Sequence, residues 1–275
     1  MNKILVLFVR TYSLNGIKTN IIILLYYYMR VLLVTIAIGE RYLEIYNYLF
    51  RKSQEDYAKK HGYDFKVVTD YLQKDSVHPS SISFHKILVC SQEWSKDYDY
   101  IIFIDADILI NIRAPSILES CDFGDNIGIA DEYSQPTKEG RIKIQKRMGW
   151  ETSATDYYKL CDLDIVTDKV FNTGVLVLQP NKHREFLDNI FNTYVERTIN
   201  HRRGFHYEQS VIGYEIQKAK NFVVLSNKFN SVWGIYKLHD PTHNLLRYFE
   251  GNNFIHFAGK ADFEKVPNLH KYNLL

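Results

Sequence analysis

An unbroken apolar run, RVLLVTIAI at residues 30–38, leads through Gly39 into apolar residues at Leu43, Tyr46, Phe50 and Tyr57 with charges between them. The run has the pattern of a strand buried on both faces, and the spacing after it is that of an amphipathic helix. Gly62 is placed to end that helix before a second strand over 65–68, so the stretch reads as one β-α-β unit. Such a unit commits the chain to a parallel sheet covered by helices, because the crossover must return over one face. Further on, Ser80, Ser81 and Ser83 offer N-caps for a helix with Phe84, Ile87, Leu88 and Trp94 on one stripe and Lys86 pointing off it. A buried strand over 100–104 follows, Pro115 opens a short helix, and NIGIA (126–130) is a further strand. The stretch 133–169 is polar and aperiodic, the length and character of a substrate-covering loop. A buried strand in FNTGVLVLQPN (171–181), an amphipathic helix to about 198, a helix over 206–218, a strand over 222–225 and a last strand and loop over 253–265 complete the reading. No repeat, low-complexity segment or linker divides it, which favours one α/β domain over 30–275.

Composition excludes more than it selects. With 46% hydrophobic and 24% charged residues, 275 residues supply an ordinary globular core, and a net charge of +2 with interspersed signs gives no field for nucleic acid. The basic clusters Arg202-Arg203 and 143–147 read as solvated loops. Cys90, Cys121 and Cys161 lie far apart with no CxxC spacing, so neither a zinc site nor a disulfide framework is suggested and free thiols in a reducing compartment are favoured. No Asn-x-Ser/Thr acceptor occurs. Together these favour a cytoplasmic location over a membrane-anchored luminal one such as the Golgi. The apolar run 21–38 has the length of a membrane span, but Arg30 in its middle costs roughly 2.5–3.5 kcal/mol on insertion. Since 31–38 reads as the first strand, residues 1–29 are an N-terminal extension or a weak anchor, and membrane association is not favoured. Nothing sets the oligomeric state.

The chemistry gathers at FIDADILIN, where Asp105 and Asp107 leave the end of the buried strand. Residues i and i+2 of an extended segment point the same way, so both carboxylates can face one ion while Ala106 tucks into the wall. Ionised carboxylates beside a low-dielectric core need a counter-charge, and Mg2+ or Mn2+ bound through one or two carboxylates completes its shell with substrate phosphates. His256, at the end of another apolar strand in IHFAG, is the candidate third ligand, and an imidazole donor favours Mn2+. A core histidine with both nitrogens satisfied is the other reading. Gly259 allows close backbone approach and Lys260 adds a positive charge, a pairing that suits a phosphate.

Five segments, FHKILVCSQEW, YDYIIFIDADILINIRAP, FNTGVLVLQPN, YEQSVI and IHFAGK, occur in the order and approximate spacing of glycosyltransferase family 34, the galactosyl- and mannosyltransferases. The chain is similar also to the related family 8, over about residues 30–262. The resemblance implies a GT-A fold, a Rossmann-like, mostly parallel α/β sheet flanked by helices. It also implies a retaining, metal-dependent transferase that takes a nucleotide-diphosphate sugar, by preference a UDP-sugar, to a glycan, protein or lipid acceptor, with Mn2+ as cofactor and Mg2+ as the alternative. Carried over residue by residue, it makes Asp105 and Asp107 the acid pair on metal and donor and His256 the third ligand. Lys86 matches a basic position near the donor phosphates or sugar, and Gly259 and Lys260 the segment that closes on the diphosphate. Asn172, Thr173 and Gly174 match a loop lining the sugar and acceptor pocket, Gln209 lies beneath the anomeric carbon, and Thr35 and Ala37 border the base and ribose. Two departures stand out: Glu208 occupies a position where relatives commonly carry Asp, and the residues after HFAG are not those usual in either family.

Retaining glycosidases use a carboxylate nucleophile on the far face of the sugar, and Gln209 is a poor nucleophile. Front-face attack, with Gln209 and Glu208 steadying an oxocarbenium-like sugar and Lys86 and Lys260 assisting departure of the diphosphate, is the mechanism expected. Two other readings share the same residues. One is a nucleotide-sugar or glycan-binding relative without turnover. The other is a haloacid-dehalogenase-type phosphatase with its first Asp as nucleophile, although that motif usually lies on the first strand and about seventy residues of β-α-β precede it here.

Overall fold

The structure, a computed structural model, describes residues 3–14, 17–74, 78–200, 207–260 and 262–273. Arg202 and Arg203 lie outside them, as do His206 at the head of one expected helix and Ala261 in the last loop. At the N-terminus β1 (Lys3–Leu14) pairs antiparallel with β2 (Ile17–Tyr28), from Lys3 opposite Tyr28 to Leu14 opposite Ile17. The apolar run of membrane-span length is therefore divided between β2 and β3 (Val31–Ile36), and no helix among the described residues is long and apolar enough to cross a membrane.

The β-α-β unit forms with one difference. The helix expected in one piece is two, α1 (Glu40–Leu49) and α2 (Arg51–His61), with Phe50 at φ −121° between them. Phe50 is 1% exposed, packed edge-on against Phe263, and its carbonyl accepts from the Ser53 hydroxyl at 2.8 Å, a local bond that competes with helix continuation. Gly62 ends α2 in the left-handed region (φ 69°), its N–H bonded to the carbonyls of Ala58 and Lys59, before β4 (Asp64–Val68). The expected α-helix after the serines is instead a 3-10 helix, Pro79–Ser91. The whole run 84–90 is buried, and Lys86 with it, at 3% exposure.

Next come β5 (Tyr100–Ile104), β6 (Ile108–Ile110) and β7 (Ile127–Asp131), with only a 3-10 turn at Ile117–Glu119 where Pro115 suggested a helix. The stretch 133–169 is less loop than expected, since it holds α3 (Lys138–Met148) and α4 (Ala154–Lys159). Thr137 and Ser153 cap these helices by accepting from the N–H groups of Gly140 and Asp156. The periodicity of α3 is hidden because it buries Gly140, Arg141, Ile144 and Gln145, a face that is mostly polar. The chain ends with β8 (Phe171–Leu178), α5 (Pro180–Asn200), α6 (Tyr207–Ala219), β9 (Phe222–Leu225), β10 (Ser231–Val232), α7 (Trp233–His239), α8 (Leu245–Gly251), β11 (Phe254–His256) and α9 (Val266–Asn273).

The main sheet has the order β4-β3-β5-β8-β7-β9. Parallel pairs join β3 to β4 and β5, and β7 to β9; β8 alone runs antiparallel to its neighbours. Period-two alternation divides the core. Ile101 and Phe103 of β5 face one layer with Phe84, Leu187 and Ile212, while Ile102 and Ile104 face the other with Tyr57, Ile108 and Phe254. A small sheet, β10-β11-β6, stands beyond the carboxyl end of β5. The ends of the parallel strands and this small sheet bound one region, the place where open α/β sheets bind ligands.

Candidate active site

Backbone pairing between segments far apart in sequence brings the acid pair and the histidine together. The N–H of Asp105 donates to the Gly174 carbonyl at 2.7 Å, which fixes the strand exit, and Ala106 is buried between the two acids. The antiparallel register of β6 with β11 sets His256 opposite Ile108, and the N–H of Phe257 donates to the Asp107 carbonyl at 3.0 Å. His256 Nε2 then lies 3.3 Å from Asp107 Oδ1 and 3.8 Å from Asp105 Oδ2. One ligand atom from each of the three residues lies within 4.8 Å of the others, a spacing that one divalent ion can bridge.

Gly174 makes this approach feasible. A Cβ there would stand 2.4 Å from His256 Cε1 and 2.9 Å from Asn172 Oδ1, closer than atoms pack. Gly174→Ala should therefore push the imidazole off the acids, lowering stability by about 1–3 kcal/mol and weakening Mn2+ binding. Thermal melts and metal titration of the variant test both, and an unchanged metal affinity would refute the close-approach argument.

Lys86 supplies the fixed positive charge. Its Nζ lies 3.0 Å from Asp105 Oδ1 and 3.9 Å from Glu208 Oε1, and it donates to Thr173 Oγ1 at 3.3 Å. Burial works against the ammonium, but Asp105 and Glu208 outweigh it and hold the Lys86 pKa above its ordinary value. For Asp105 burial dominates and Lys86 and His256 offset it only in part, so its pKa is raised. Asp107 also feels burial, yet the His256 imidazole overcomes it and holds the carboxyl low. The His256 pKa is raised against the opposing effect of burial by Asp107 and then Asp105. Three carboxylates thus share one ammonium and one imidazole, an arrangement short of positive charge.

These groups open into a cavity of about 920 Å3 lined by Lys86, Asp105, Asp107, Asn172, Thr173, Glu208, Gln209, His256 and Gly259, all expected from the sequence. Gly174 lies against the histidine ring, and Gly259 adopts φ 75°, the left-handed backbone that favours glycine. The structure does not bring the remaining expected residues to the cavity wall. Thr35 and Ala37 are fully buried, Ala37 in the cluster with Tyr46, Phe50 and Phe257 under α1, and Lys260 is exposed at φ 64° on the turn after Gly259.

The rest of the polar lining comes from residues outside the sequence expectations. Glu132 Oε1 accepts from Arg141 at 2.8 Å, while its Oε2 accepts from Asn172 Nδ2 at 2.9 Å and Gln209 Nε2 at 3.2 Å. Tyr133, Gln145, Trp150, Glu151 and Tyr157 extend this lining. Glu132 stands just past the buried run NIGIA, so the signal that marked the Asp pair, an acid at the end of a buried strand, was present there also. Tyr42 on α1 is another neighbour, its phenol pKa raised by burial and by Asp107 and Asp105.

The model of glycosyl transferase family 8 matches residues 10–262. Among solved structures, a glycosyltransferase involved in glycosylation of the major capsid of PBCV-1 superposes with TM-score 0.56 at 16% identity, covering 88% of this chain and 99% of that one. The galactosyltransferase LgtC, in complex with donor and acceptor sugar analogs, gives TM-score 0.52 at 14% identity over 88% of this chain and 95% of its own. GlyE of Streptococcus pneumoniae TIGR4 gives 0.52 at 13% identity over 90% of this chain and 61% of its own. No curated protein sequence matches. The likenesses show the GT-A fold. The family match takes in the acid pair, the histidine and every cavity residue named above, and of the two families the motifs resemble it selects one: the chain belongs to glycosyl transferase family 8.

Proposed function

We propose that this glycosyltransferase is a retaining, Mn2+-dependent enzyme that moves a hexose or pentose from a nucleotide-diphosphate sugar, by preference a UDP-sugar, to a hydroxyl acceptor. The observation that carries the reading is the Asp105, Asp107 and His256 cluster at a cavity wall, its ligand atoms within 4.8 Å of one another. The donor set fits a divalent ion on two counts. The oxygens and one imidazole nitrogen suit Mn2+ or Mg2+, with the nitrogen favouring Mn2+, and the carboxylates outnumber their basic partners. When bound, such an ion supplies charge neutralisation for the diphosphate as it becomes a leaving group.

The chain's own residues divide the remaining work. Lys86, held between Asp105 and Glu208, stabilises negative charge growing on the departing phosphate, and the left-handed turn at Gly259 lets backbone come close to it. Gln209, with its amide donating to Glu132, presents its carbonyl side to the sugar, and Glu208 stands beside it. The acceptor hydroxyl attacks on the face the diphosphate leaves: its oxygen bonds to the anomeric carbon, the carbon–phosphate oxygen bond breaks, and the proton passes to that phosphate oxygen. Trp150 and Tyr157, aromatic side chains that line the cavity together with Glu151, give it a character suited to a sugar-bearing acceptor.

A thermal-shift screen of nucleotide sugars with and without Mn2+ tests the reading. A cognate donor at a hundred times its Kd should stabilise the protein by about 2.7 kcal/mol, and only with the ion present. Stabilisation by a UDP-sugar that ignores Mn2+ and its chelation would refute the metal role, and a covalent glycosyl adduct on Glu208 would refute front-face attack.

A further inference from the structure

The orientation of the His256 ring follows from a chain of hydrogen bonds that starts at a backbone amide. The Gly174 N–H can only donate, and it lies 2.9 Å from the side-chain amide of Asn172, so the atom facing it is Oδ1. That same oxygen lies 2.8 Å from the carboxamide of Asn230, which must therefore turn its Nδ2 toward it; this group also reaches the Asn172 carbonyl at 3.3 Å. Asn230 is left with Oδ1 facing His256 Nδ1 at 3.0 Å. An amide oxygen only accepts, so Nδ1 carries the hydrogen. In the neutral ring Nε2 then holds the lone pair, and Nε2 is the nitrogen beside Asp107 and Asp105.

We propose that Asn230 is a positioning residue for metal binding: it fixes His256 in the Nδ1–H form and holds the ring so that Nε2 faces the two acids. The inference rests on the metal role proposed for the cluster. Asn230 has the rigidity this needs. It is fully buried between the 3-10 turn Asn227–Phe229 and β10, its own carbonyl accepts from Gln135 Nε2 at 2.9 Å, and β10 runs parallel to β11 with Val232 opposite His256. Asn172, expected at the sugar pocket, uses its carboxamide on Gly174, Asn230 and Glu132, so it acts on the site through this chain of bonds. Partners behind a ligating histidine set ligand geometry, and losing one weakens metal binding roughly 10- to 100-fold.

The test is a calorimetric titration of Mn2+ into the full chain and two variants. Asn230→Leu keeps the branched outline and removes the acceptor; its affinity should fall roughly 10- to 100-fold. Asn230→Asp keeps an acceptor for Nδ1–H but loses the donor to Asn172, so it should melt lower while binding Mn2+ close to wild type. Wild-type affinity in Asn230→Leu, or equal loss in both variants, overturns the proposal. Absence of Mn2+ binding by the wild-type chain overturns the metal reading and this inference with it, which distinguishes the two failures. Should neither variant fold, nitrogen NMR of histidine-labelled wild-type protein loaded with diamagnetic Zn2+ decides: Nδ1–H on His256 supports the assignment, and Nε2–H overturns it.

Discussion

Asp107→Ala should lower transfer from the cognate nucleotide sugar by about three orders of magnitude at fixed Mn2+, a loss of about 4 kcal/mol in the transition state. Asp107 is the acid nearest His256, 3.3 Å from Nε2, and its carboxylate is held low in pKa by that ring against the effect of burial. Removing it takes away one of two oxygen donors and the carboxylate nearest the imidazole. A two-ligand remnant of Asp105 and His256 lies open, and Lys86, already 3.0 Å from Asp105, is free to dominate that carboxylate. Mn2+ titration should show weakened binding and steady-state kinetics should show the fall in turnover, with circular dichroism unchanged. Turnover within tenfold of wild type, with Mn2+ still required, would place the ion elsewhere and remove the basis of the proposed mechanism.

The same acid pair shows what a sequence exposes. A carboxylate at the end of a four-residue apolar run is conspicuous because its environment is written in its neighbours, and β5 delivers Asp105 and Asp107 as that run implies. The histidine was visible for the same reason at the end of β11, but its meeting with Asp107 depends on the register of two three-residue strands, too short to leave a periodicity. The polar wall was hidden by its own chemistry. Helix α3 buries Arg141 and Gln145 rather than an apolar stripe, so a pattern search finds a loop where a helix lies against the cavity. Asn230 leaves no trace at all, since its importance lies in hydrogen bonds to residues 58 and 26 positions away. Thr35 and Ala37 show the opposite case: β3 ends where expected, but both residues are buried, Ala37 under α1 in the cluster with Phe257.

Lys86→Met should separate the two positive charges that the site needs. Methionine keeps most of the stem and deletes the ammonium, leaving Asp105 and Glu208 beside a 3%-exposed apolar side chain. Breaking a fully buried ion pair costs about 3–5 kcal/mol, and since the Asp105 side chain is 26% exposed, solvent reduces this to about 2 kcal/mol, a fall of roughly 4–8 °C in melting temperature. Mn2+ should recover more stability in this variant than in wild type, because Lys86 and the ion draw on the same carboxylate, so metal affinity is kept or raised. Turnover should nevertheless drop about 100-fold, since the growing charge on the diphosphate loses a preorganised donor. Opposite movements of affinity and turnover distinguish a leaving-group residue from a metal-site residue such as Asp107, where both fall together. Equal loss of Mn2+ binding in Lys86→Met would mean that the lysine serves to hold Asp105 in place, and wild-type turnover would mean that departure of the diphosphate needs only the ion.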